Sequence, residues 1–268
     1  MARFSDNVGP ALARLYDLDL VEEPGDLELY LALARRAEGP VLELGVGTGR
    51  LAVPLTEAGY RVTGVDVDPA MLARARRRAV EAGPEAVERL ELIESDLLTL
   101  RLESAGTFRL GLVALNSLLL LATRRDQQRA FRVLAEHLAP GGLAVADVWL
   151  PDADDLARFD GRLILEYPRT DPETGNQVTK VAGATHDAAS QSVRLTTIYE
   201  EGRPGEPAVR WIRQDLLRLV NADELAGFAE GAGLVVEAVA GNYDREPLGP
   251  GSERAILVAV KPGPAGLV

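Results

Sequence analysis

With 268 residues, 47% of them apolar, and a formal net charge of −12, the chain has material for one large α/β domain or a domain with a sizeable insert. Its acidity argues against a phosphate-backbone partner, whose binding rests on basic surface. There is no cysteine, and the only histidines are His137 and His186, so disulfides and cysteine metal sites are excluded and no metal site is expected.

The chain is read as follows. No apolar run approaches the roughly 20 residues of a bilayer span, and the first residues lack the charged-then-apolar profile of a secretory signal; a soluble cytoplasmic protein is expected. Residues 4–23 form an amphipathic segment with Leu12, Leu15, Tyr16, Leu18 and Leu20, expected to cap the domain. Residues 26–37 form a helix with Asp26 as N-cap and Leu27, Tyr30, Leu31 and Ala34 on one face. Residues 41–44 are a buried strand that enters the loop Gly45-Val46-Gly47-Thr48-Gly49. Glycine tolerates positive φ and lets a ligand approach the backbone, so this loop predicts a nucleotide-like ligand over the carboxyl end of the strand.

A helix over 51–58 and a strand over 61–65 follow, with Asp66 at the carboxyl end of that strand. Pro69 opens a helix over 69–82, capped by Asp68. The third strand is 90–94, followed by Ser95-Asp96-Leu97. The fourth is 110–115, ending in Asn116-Ser117. A helix over 126–138 carries His137 at its end, where a cation is favoured. Pro140-Gly141-Gly142 turns the chain into the fifth strand, 143–148. This alternation predicts a doubly wound parallel sheet. Four β segments from 162 to 220 then read as an antiparallel meander. A helix over 222–232 and strands over 234–240 and 255–260 complete the α/β part, and the last residues read as a frayed tail.

VLELGVGTGR, VTGVDVDPAML, ESDLL and LAPGGLAV, in this order, resemble the class I S-adenosylmethionine-dependent methyltransferases. The insert resembles small-molecule enzymes of the amino-sugar N-methyltransferase kind. The resemblance implies a seven-stranded, mostly parallel Rossmann-like sheet, the last strand antiparallel, with an antiparallel β insert after the fifth strand. Residues 1–150 and 221–268 would form the cofactor-binding α/β domain, and residues 151–220 the insert, as a lid or a dimerisation element. The cofactor would be S-adenosylmethionine. Gly45, Gly47 and Gly49 would meet its methionine and ribose, Asp66 the ribose diol, and Asp96 the adenine amino group. The Leu97 backbone would meet the ring, with Val67 and Met71 on its faces. Glu43 would lie near the ammonium, and Asn116 near the sulfonium and the acceptor.

The sulfonium methyl is already activated, so proximity and orientation supply most of the acceleration, and a base is needed only if the acceptor must lose a proton. His186, Tyr16, Tyr30 and Tyr243 with Asp244 are candidates, and the sequence selects none, so the catalytic residues are unknown at this stage. A small-molecule acceptor methylated on N or O is expected, with no nucleic-acid or membrane partner. An exposed edge in the insert offers a route to a homodimer. A nicotinamide-dependent oxidoreductase shares the glycine loop, although Arg50 stands where a dinucleotide loop wants its third glycine. A non-catalytic S-adenosylmethionine-binding module is the other alternative.

Overall fold

The computed structural model describes residues 9–21, 24–203 and 205–263. The outer parts of the N-terminal segment and the end of the tail, 264–268, lie outside them. In chain order the elements are α1 (Pro10–Asp19), α2 (Leu27–Ala37), β1 (Val41–Leu44), α3 (Ala52–Glu57), β2 (Val62–Asp66), α4 (Pro69–Ala82), α5 (Pro84–Arg89), β3 (Leu90–Glu94), β4 (Phe108–Val113), α6 (Arg124–His137), β5 (Leu138–Trp149), α7 (Ala153–Arg158), β6 (Ile164–Thr170), β7 (Gln177–Asp187), β8 (Ser192–Gly202), β9 (Val209–Arg218), α8 (Ala222–Gly231), β10 (Val235–Ala240) and β11 (Arg254–Val260). Among the described residues, no helix is long and apolar enough to cross a membrane.

The larger unit, residues 23–150 and 220–268, holds a seven-stranded sheet in the order β10-β11-β5-β4-β1-β2-β3. All neighbours are parallel except β11, which runs antiparallel to β5 and β10. This is the expected Rossmann-like architecture with its antiparallel last strand. Strand residues alternate in direction. Val41, Leu110, Leu112, Leu143, Val145, Ile256 and Val258 therefore face α2 and α3, in one core with Leu29, Tyr30, Leu33, Leu51 and Leu55. On the opposite face, Leu134 of α6 packs so tightly on Gly111 of β4 that a Cβ there would lie 2.9 Å from its Cδ2, and Phe131 meets Phe228 of α8.

Several local expectations are corrected. The buried face of α2 is Leu29, Tyr30, Leu33, Ala34 and Ala37, with Leu27 and Leu31 only half-buried. Helix α6 starts earlier, capped by Thr123, whose side chain accepts from the Asp126 N–H. The Pro140-Gly141-Gly142 segment lies inside β5 as an irregularity, where pairing jumps from Phe108↔Leu138 to Leu110↔Leu143. His137 is 1% exposed and its Nδ1 donates to the Val133 carbonyl at 2.7 Å.

The smaller unit joins the N-terminal segment to residues 151–219. Its sheet has the order β6-β7-β8-β9, antiparallel throughout. Helix α1 belongs to this unit. Leu12, Leu15 and Leu18 pack on Val178, Tyr199 and Trp211 of this sheet. Polar contacts hold it in place: Asp19 accepts from the hydroxyls of Tyr167 and Tyr199 (2.6 Å for Tyr199) and pairs with Lys180 at 2.9 Å, and Arg14 pairs with Asp171 and Glu201.

Candidate functional site

The order of winding reverses at β1, which has β2 on one side and β4 on the other. Such a switch point opens a crevice at the carboxyl ends of the strands, where α/β sheets bind ligands. The glycine loop leaves β1 there. Gly45, Gly47 and Gly49 have φ of +77°, +54° and +77°, values that strain any residue with a Cβ. A Cβ on Gly49 would stand 3.1 Å from that of Ala75, so this glycine seats α4 against the loop. At Gly47 nothing lies within 4 Å of the Cβ position, and its backbone is open to a ligand. The Gly45 and Val46 N–H groups donate to the Val65 carbonyl at 2.8 and 3.0 Å, tying the loop to the end of β2.

Asp66 completes that tie. Its Oδ2 accepts from the Gly47 N–H at 2.8 Å and its Oδ1 from the Asp68 N–H at 3.0 Å. Burial pushes its carboxyl up, against the pull of those N–H groups. A carboxylate has about four acceptor positions, so these N–H groups, with that of Val67, aim it without exhausting it. Beyond it, Val67 is 53% exposed and Met71 is buried at the start of α4. Asp96 is exposed and accepts from the Leu98 N–H at 2.8 Å, opening a short 3-10 turn at Leu97.

Glu43 is 4% exposed and its Oε2 has no partner among the described residues. Burial raises its pKa to about 8, a shift that Arg50 offsets only in part and that Asp26 and Asp66 reinforce. A fully buried carboxylate with an unpartnered oxygen requires a cation or a proton. Asp26 is not the side-chain cap of α2. It binds Arg50 in a bidentate pair at 2.5 and 2.7 Å, so Arg50 holds α2 against the loop.

A group of residues that the sequence reading did not bring together lies on the same sheet face. Asp147 of β5, 0% exposed, accepts from Arg254 Nε at 2.9 Å, from the Tyr243 hydroxyl at 2.9 Å and from the Leu115 N–H at 3.3 Å. The Tyr30 hydroxyl is buried without a partner among the described residues. Burial first, then Asp147, Asp26, Tyr243 and Glu43, push its pKa well up. Tyr243 is raised likewise, by burial and by Asp147. An acid inside the apolar run LAVADVW was the available signal, since an isolated carboxylate in a buried strand needs partners. Asn116 is a turn residue with φ +67°, beside Leu115 at +45°, so backbone strain is concentrated at this strand end. Its Oδ1 accepts from the Trp149 N–H at 2.6 Å and from Arg254 at 3.4 Å, pinning the end of β4 to that of β5.

Of the predicted site residues, Glu43, Gly45, Gly47, Gly49 and Asp66 thus come together at the ends of β1 and β2. Val67 and Met71 stand at the start of α4, Asp96 and Leu97 follow β3, and Asn116 follows β4. Of the proposed bases, Tyr30 and Tyr243 adjoin Asp147, Asp244 is exposed, and Tyr16 and His186 belong to the smaller unit. In charge, Asp26 is matched by Arg50 and Asp147 by Arg254, while the buried Glu43 Oε2 has no partner among the described residues. The arrangement suits a ligand with a positive group at Glu43 and hydroxyls at Asp66.

Residues 41–142 match the family described as "Methyltransferase domain". The Cypemycin N-terminal methyltransferase of Streptomyces sp is 28% identical over 259 residues, covering 91% of this chain and 93% of that protein. The CcbJ methyltransferase from Streptomyces caelestis superposes with a TM-score of 0.75 at 25% identity, over 97% of this chain and 98% of that one. S-adenosylmethionine-bound CalS10, an amino pentose methyltransferase from Micromonospora echinaspora, shares the fold with a TM-score of 0.69 at 20% identity, over 97% of this chain and 100% of that one.

Proposed function

We propose that this chain, an S-adenosylmethionine-dependent methyltransferase of the class I fold, methylates the nitrogen of a small-molecule amine. The observation that carries the reading is that, among the described residues, the tyrosines beside Asp147 are not set up as bases. The Tyr243 hydroxyl donates to Asp147 at 2.9 Å, and burial shifts Tyr30 and Tyr243 away from ionisation. An alcohol must lose a proton during attack. A neutral amine attacks with its own lone pair and sheds the proton afterwards, so orientation suffices. The whole-length relative whose name specifies an N-terminal acceptor supports nitrogen.

The residues fit the cofactor on two structural grounds, the unpartnered Glu43 Oε2 and the open backbone at Gly47. Glu43 would hold the ammonium, and Gly45, Gly47 and Gly49 would pass the methionine and ribose along the backbone. Asp66 would accept from the two ribose hydroxyls, and Asp96, Leu97, Val67 and Met71 would frame the adenine. S-adenosylmethionine supplies a sulfonium-bound methyl group; as the new N–C bond forms the S–C bond breaks, and the amine proton leaves to solvent. Asn116, fixed by Trp149 and Arg254, would shape the acceptor side, and Asp147 would hold Tyr243 and Arg254 around it.

The experiment is a methyl-transfer assay with labelled S-adenosylmethionine and a panel of amino sugars, peptides with free amino termini and matched alcohols, the modified atom being located by mass spectrometry. Methylation of amines with the alcohols untouched is expected. Transfer confined to hydroxyls overturns the reading.

A further inference from the structure

We infer that the hydroxyl of Ser117 faces the sulfonium of the bound cofactor from the β4 side of the glycine loop, and that it tells the methylated cofactor from the demethylated one. The inference rests on the cofactor placement proposed above, with Glu43 at the ammonium and Asp66 at the ribose. It is indifferent to whether the acceptor atom is nitrogen or oxygen.

The backbone at the end of β4 is strained. Leu115 and Asn116 are consecutive non-glycine residues with φ of +45° and +67°, values that residues with a Cβ rarely adopt. Three bonds to β5 hold this turn. The Leu115 N–H donates to the Asp147 carboxylate at 3.3 Å, the Asn116 N–H to the Asp147 carbonyl at 3.0 Å, and the Trp149 N–H to the Asn116 side chain at 2.6 Å. Strain fixed in this way at a strand end points to a group whose position matters. The Asn116 side chain is not that group, because its Oδ1 is committed to Trp149 and Arg254. The next residue is.

The turn carries Ser117 back over the end of β1. Its Oγ and Cβ lie 3.1 and 3.2 Å from where a Cβ on Gly45 would stand. Ser117 therefore fills the space that a side chain at position 45 would take. Its N–H donates to the Ala114 carbonyl at 3.1 Å, but its hydroxyl has no hydrogen-bond partner among the described residues. The residue is half-buried, and the hydroxyl keeps a proton and two lone pairs for a ligand. At Gly47, by contrast, nothing lies within 4 Å of the Cβ position. A ligand that follows the loop meets open backbone at Gly47 and a free hydroxyl at Gly45.

The connectivity of the cofactor selects what that hydroxyl meets. The ammonium at Glu43, on β1, and the ribose at Asp66, at the end of β2, are joined through the sulfur. The join passes the first glycine after β1, where the wall on the β4 side is Ser117. A hydroxyl oxygen turned to a sulfonium makes a favourable charge–dipole contact, stronger where water is partly excluded. The same oxygen gains little from the neutral thioether left after transfer. Ammonium and ribose are common to both forms, so only a group at the sulfur can separate them.

The test is calorimetric binding of S-adenosylmethionine and of S-adenosylhomocysteine to the full chain. Ser117→Ala should weaken S-adenosylmethionine about three- to tenfold, the range of one neutral hydrogen-bonding group, and S-adenosylhomocysteine by less than about twofold. Ser117→Cys keeps the size of the side chain and replaces its oxygen by a weak sulfur acceptor; it should show the same split, which guards against a folding fault in the alanine variant. Asp66→Ala should weaken both ligands alike, because they share the ribose. If Asp66→Ala leaves both unchanged, the cofactor placement fails and the inference falls with it. If Asp66→Ala acts as expected but neither Ser117 variant weakens S-adenosylmethionine selectively, the placement stands, Ser117 is only a wall of the groove, and the inference is overturned.

Discussion

Glu43 gives the sharpest test at the level of single residues. Burial keeps its carboxyl protonated up to about pH 8 in the cofactor-free protein, whereas a bound ammonium favours the ionised form. Below that pH, binding must expel a proton, so affinity should rise with pH by up to about tenfold per unit. Above it, the ligand's own α-amino group, with an ordinary pKa of about 7.7–8.0, loses the charge that Glu43 recognises. The expected profile is a bell centred near pH 8. Glu43→Gln should remove the acid limb and leave the alkaline one, as measured by calorimetry across pH; an unchanged acid limb would assign it elsewhere. Stability follows the opposite sign. The raised pKa favours the folded state below the ordinary carboxylate range, and this contribution is lost as pH rises through about 8, so the cofactor-free protein should melt lower at pH 9 than at pH 6 in this respect. Asp66→Ala removes the diol acceptor and the tether of Gly47 together; a charge-assisted bond is worth about 1.5–3 kcal/mol, so affinity should fall at least about tenfold. A loss below about threefold would dissociate Asp66 from the ribose.

At the level of elements, the sequence revealed what depends on local chemistry. Strand β1, its glycine loop, Asp66 and Pro69–Ala82 could be read from residue types alone, and so could the four insert strands, because period-two runs between turn clusters admit little else. What escaped was decided by tertiary partners. Asp26 has the composition of a cap but is bound to Arg50 from a different element. Asp147 gains meaning only when β11 brings Arg254 beside it, 107 residues later. Helix α1 looked like a lid for the nearest domain, yet its apolar face belongs to strands far along the chain. That last point changes a deletion design. Replacing residues 153–220 by a linker while keeping α1 would strand Leu12, Leu15 and Leu18 in water, and such a protein should aggregate. Removing α1 as well should leave a soluble protein that still binds S-adenosylmethionine, as calorimetry would show. Aggregation of that doubly truncated protein as well would show that the larger unit depends on the smaller one.

For the molecule as a whole, the chain is interleaved: the smaller unit begins it, the larger unit occupies its middle, the smaller unit resumes, and the larger unit ends it. The pairing of α1 with the distant sheet then sets a clock on biosynthesis. Helix α1 leaves the ribosome before the strands it packs on, with an apolar face and no partner. Tyr199 and Trp211 follow some 190 residues later, and at 5–20 residues per second this is a delay of roughly 10–40 s. During that interval the α/β part has β1 to β5 in hand but lacks the last two strands. The nascent chain therefore carries two unfinished surfaces at once, and the order of translation, rather than the final contacts, determines which one is exposed longest.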